Sequence, residues 1–85
     1  MRLLAAARVL DGAGARIGAH IYTAMSAHLM ACVDNPLPVE VFDWDDALMD
    51  NPPAPGPDGR LAVNGPGFGL VLRRDTLRSH GRQVA

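Results

Sequence analysis

Apolar and polar positions follow different spacings in successive stretches of the chain, and each stretch reads as one element. In residues 2–11, RLLAAARVLD, Leu3, Ala6, Ala7 and Leu10 fall at the spacing of one helix face among strong helix formers. Gly12 and Gly14 end that helix. ARIGAH (15–20) sets Ile17 between small residues beside a turn glycine, which predicts a short buried strand. Helical spacing returns from Ile21 to Val33 through Ile21, Met25, Leu29 and Cys32, with His28 near the same face. It stops before Asp34-Asn35-Pro36. PVEVF (38–42) predicts a second strand, with Val39 and Val41 on one face and Glu40 and Phe42 on the other.

The order helix, strand, helix, strand favours parallel strands covered by helices, an α/β class. After Phe42 the run DWDDALMDNPPAPGPDG is rich in Asp and Pro and predicts irregular surface chain. RLAVNG (60–65) and FGLVL (68–72) flank Gly65-Pro66-Gly67 and predict a β-hairpin. Residues 75–80 predict a final helical turn.

Composition narrows the function. At 85 residues and 48% hydrophobic content the chain is one domain at most, with a small core and marginal stability unless a partner covers it. Net charge of −1 argues against nucleic-acid and membrane-surface roles, which need a clustered positive field. The apolar start is interrupted by Arg2 and Arg8 and falls short of the roughly 20 residues of a membrane span. With the lone Cys32 and no secretory pattern, a reducing, cytoplasmic setting is expected. All eight basic residues are Arg, so this chain supplies no Lys base or Schiff base.

The segment GAHIYTAMSAHLMACVDNPLPVEVFDW (18–44) resembles the end of the mandelate racemase and muconate lactonizing enzyme family of the enolase superfamily. In that family a histidine closes the seventh barrel strand, where His20 stands here. Ser26-Ala27-His28-Leu29 is similar to a stretch of the following helix in the mandelate racemase branch. Glu40, twenty residues after His20, falls where a glutamate ends the eighth strand. Gly59 to Gly69 resembles the family's terminal hairpin, departing from it at Asn64, usually proline, and Phe68, usually leucine.

The resemblance implies the C-terminal portion of a (β/α)8 barrel, with residues 1–42 as the last βα units and 43–85 as an extension returning to a capping domain. A complete barrel needs about 250 residues. It also implies a Mg2+-dependent lyase or isomerase, either an acid-sugar dehydratase or a racemase. Such enzymes abstract a proton next to a carboxylate and stabilise the enediolate with the metal. His20 would be the base. Glu40 would be a protonated acid donating to the carboxylate of a small carboxylic or sugar-acid substrate, its pKa raised by burial. The magnesium ligands would lie outside this chain, so the isolated chain is expected to be inactive and to act in an oligomer or with a partner. The alternative is a non-catalytic fragment that folds or functions only by docking.

Plainer explanations compete for each residue. His20 also reads as an ordinary strand-end residue, and Glu40 as part of a solvated face, since burying it unpaired would be costly. His28 and Cys32 have i, i+4 spacing that could ligate zinc, yet no third or fourth ligand accompanies them, which favours packing. Asp43, Asp45 and Asp46 around Trp44 read as a solvated acidic loop. Gly65, Gly67 and Gly69 precede no helix or Lys and read as turn geometry rather than a phosphate loop.

Overall fold

A computed structural model describes residues 2–84. Helix α1 spans Arg2–Gly12, α2 spans Thr23–Met30, a 3-10 turn covers Asp46–Leu48, and α3 spans Arg74–His80. No strand forms among the described residues. The expected α/β barrel portion with its closing β-hairpin is therefore corrected to a small helical chain whose extended segments meet only at isolated bridges.

The physical reason is visible in the backbone hydrogen bonds. Residues 15–20 and 36–42 do approach in parallel, but at a single bridge between Ile17 and Pro36. Ile17 N–H donates to Asn35 O at 3.2 Å, and Leu37 N–H donates to Ile17 O at 2.7 Å. The ladder stops there. A two-stranded parallel ribbon does not support itself. Pro36 and Pro38, whose backbones face away from Ile17, have no N–H with which to hold a third strand. At the other end, Ile21 and Tyr22 adopt positive φ and turn the first segment away.

The expected hairpin fails differently. Gly65, Gly67 and Gly69 all take positive φ, and Gly69 N–H closes on Pro66 O at 2.9 Å, making a tight local knot. FGLVL then pairs with residues 48–51 rather than with RLAVNG. Asp50 N–H donates to Val71 O at 2.8 Å, Arg73 N–H donates to Leu48 O at 2.7 Å, and Met49 bridges Leu72 antiparallel.

Two patches of core result. Ala7, Met30 and Val33 are buried together, with Ile17, Ala19, Leu29 and Val39 packed on them. Asp11, at the end of α1, accepts from the Asp34 and Asn35 amides at 2.7 and 3.2 Å, which fixes the turn that delivers Pro36 to Ile17. Met49 is buried separately beneath the bridge to Leu72.

The core is small for the chain. The accessible surface is 6552 Å2, against about 4,850 Å2 expected for a compact protein of this mass. The radius of gyration is 14.8 Å against about 12 Å. The apolar face predicted for α1 is present but uncovered: Ala7 is buried, while Leu3 and Leu10 are 64% and 51% exposed. On α2 the buried residues are Thr23, Ser26, Ala27 and Met30, whereas Met25 and Leu29 line an open cavity.

Candidate functional site

His20 and Glu40 meet where the two extended segments end. His20 Nδ1 lies 2.8 Å from Glu40 Oε2, and the Ile21 N–H donates to the same oxygen at 3.1 Å. Both side chains are open to solvent, at 77% and 45% of their full exposure. The Glu40 carboxyl is held below the ordinary carboxylate range, first by the Ile21 amide and then by the bond from His20, against a small opposing effect of desolvation. An ionised carboxylate only accepts, so His20 donates through Nδ1–H, which in the neutral ring places the lone pair on Nε2. The geometry thus makes Glu40 an anionic partner that orients His20. It does not raise Glu40 into the protonated donor that the resemblance implies.

The turn that delivers the Ile21 amide is strained. Ile21 has φ 59°, and Tyr22 has φ 46° and ψ 62°, both in the left-handed region without glycine. Such residues cost about 1–2 kcal/mol each, most acutely for β-branched side chains. Two buried hydroxyls hold the turn. Ser26 Oγ donates to Ile21 O at 2.5 Å, and Thr23 Oγ1 accepts from the Phe42 N–H at 2.9 Å while donating to Glu40 O at 3.0 Å.

Beside the pair lies an apolar cavity of about 510 Å3, walled by Leu3, Leu10, Ile17, Met25, Leu29 and Phe68 and also touched by His20. Its size falls within the range of small-ligand pockets, about 300–1,000 Å3. It opens to solvent, because the helix faces that form it lack a covering layer and leave Leu3 and Leu10 exposed.

The other sequence candidates do not join the site. His28 Nδ1 lies 2.8 Å from Ala24 O and so donates to it, which leaves a bare Nε2 that is buried without a partner. The ring meets Phe68 edge-on, with centroids 5.9 Å apart. Cys32 Sγ donates to His28 O at 3.4 Å, so thiol and imidazole both serve the helix backbone. Among the described residues no three His, Cys, Asp or Glu side chains gather to hold a metal ion, and Asp43, Asp45 and Asp46 do not converge. The described residues therefore do not fit a magnesium site.

Thr23, Ser26 and the Ile21 amide are the groups bonded around the pair that sequence reasoning missed. The available signal was two hydroxyl residues three apart at the start of an otherwise apolar helix, a spacing that places both on one face. No helix among the described residues is long and apolar enough to cross a membrane. The chain matches no family model, no curated protein and no solved structure.

Proposed function

We propose that the chain contributes half of a proton-transfer site for a small carboxylic acid, completed by a surface outside it. His20 is the base through Nε2, and Glu40 is the anion that fixes its tautomer and ring orientation. The observation that carries this reading is the 2.8 Å contact between two side chains twenty residues apart, reinforced by the Ile21 amide. A carboxylate that accepts from one ring nitrogen leaves the other nitrogen of the neutral ring free to take a proton. The substrate class, and the choice between dehydration and racemisation, rest on the resemblance of residues 18–44 alone. Among the described residues no cluster gathers to hold a magnesium ion against an enediolate, so no turnover is expected from the isolated chain on hydroxy acids or sugar acids with magnesium.

Histidine 15N spectra of the full chain at neutral pH test the reading. The expected result is His20 predominantly in the Nδ1–H form, reverting in Glu40→Gln to the mixture of a free imidazole. A free-imidazole spectrum in the native chain would sink it.

The surplus surface supports a second reading, a docking segment without catalysis. The excess of roughly 1,700 Å2 over a compact chain is as large as a whole standard protein–protein interface. The two readings separate at His20→Ala in the assembly with the completing surface, where it should abolish proton transfer if the first is right and leave both association and any activity unchanged if the second is.

A further inference from the structure

We infer that Thr23 is the positioning residue of the His20–Glu40 pair, an inference that rests on that pair being the site. Thr23 is 1% exposed, the most buried polar side chain among the described residues. Its hydroxyl has one proton and two lone pairs, and it spends them on a single neighbouring segment. It accepts from Phe42 N–H at 2.9 Å and donates to Glu40 O at 3.0 Å, with Phe42 O further off at 3.5 Å.

These bonds sit where a sheet would have supplied its next rungs. The parallel approach of the two segments makes backbone bonds only around Ile17, and Glu40 lies beyond them. The Thr23 hydroxyl takes over that duty from the first turn of α2. It anchors the Glu40 carbonyl and the Phe42 amide, the two groups that flank Val41, and so fixes the backbone immediately after the carboxylate-bearing residue, whose side chain reaches Ile21 N–H and His20 Nδ1 without a ladder behind it. Ser26 secures the opposite end by donating to Ile21 O. Loss of this buried oxygen removes the side-chain partner of both the Phe42 donor and the Glu40 acceptor.

The test is a titration of the Glu40 carboxyl by 13C shift, together with His20 15N spectra, in the full chain and in Thr23→Val, Thr23→Ser and Glu40→Gln. In the native chain the Glu40 midpoint is expected below the ordinary carboxylate range, with His20 as Nδ1–H. Thr23→Val should lose both signatures while the α1 amide spectrum persists. Thr23→Ser, which keeps the hydroxyl, should restore both. If the native chain shows the signatures and Thr23→Val keeps them, the role of Thr23 is overturned and the pair stands. If the native chain lacks them, the pair itself fails before any variant is compared. Should Thr23→Val unfold, hydrogen exchange of the native Phe42 amide decides. Protection supports the clasp, and exchange at the unprotected rate overturns it.

Discussion

Residues 2–42 and residues 43–84 are held together by different means. The first region has an apolar cluster around Ala7, Met30 and Val33, and its irregular segments are tied by the buried hydroxyls of Thr23 and Ser26. The second buries one large side chain, Met49, and relies on exposed polar ties. Asn51 donates to Gly69 O and accepts from Val71 N–H at 2.8 and 2.9 Å, Thr76 Oγ1 donates to Ala47 O at 2.8 Å, and Arg73 pairs with Asp50 at 3.5 Å. Exposed polar ties compete with water and contribute little each, whereas buried ones cannot be exchanged for water. The candidate site therefore lies in the region whose polar contacts carry the greater energetic consequence.

The sharpest break between the regions comes from their buried methionines. Met30→Ala and Met49→Ala each remove a buried side chain at a cost of about 2–5 kcal/mol. Met30→Ala should abolish the helical circular dichroism of α1 and α2 together with the His20 signature. Met49→Ala should loosen residues 46–73 and leave that signature in place. Loss of the signature in both would show that the regions fold as one.

A smaller effect of opposite sign is expected at the strained turn. Tyr22→Gly removes a left-handed penalty at an exposed position and should raise stability by roughly 0.5–1 kcal/mol in denaturant melts. A loss of stability would mean that the Tyr22 ring packs with more effect than its exposure indicates.

Acidification should have the least effect. The Glu40 carboxyl titrates lower in the folded chain than in the unfolded one, so its contribution is complete above the unfolded value and is lost as pH falls through the lower, folded value. The His20–Glu40 contact should therefore survive mild acid and disappear only below the ordinary carboxylate range, read from the His20 ring shifts. Disappearance above that range would contradict the Ile21 amide bond.

Much of the local helix formation was legible in the residues. The spacing of Leu3, Ala6, Ala7 and Leu10 gives α1 to within a residue, and Arg74–His80 lies within one of the predicted final turn. Which faces are covered was not legible. On α2 the apolar row of Met25 and Leu29 looks like the core, yet the small and hydroxyl row of Thr23, Ser26 and Ala27 is buried with Met30. Spacing identifies a face, and only packing decides which face meets a neighbour.

Strand propensity failed for a related reason. Val39, Val41 and the residues around Ile17 suit a pleated surface, but propensity in strands measures packing on neighbours that are absent here. At the site, the resemblance of residues 18–44 drew attention to His20 and Glu40. The ionisation of Glu40 was hidden, because it depends on an amide presented by two non-glycine residues in a conformation their sequence disfavours.

Pro36 and Pro38 carry one more consequence. On the side away from Ile17 the segment offers carbonyls but no donors across two successive outward positions, which blocks the growth of an intermolecular β-ribbon from that edge. A companion molecule that covered the open side-chain surface of α1 and α2 would be recognised by shape and oily contact rather than by main-chain templating.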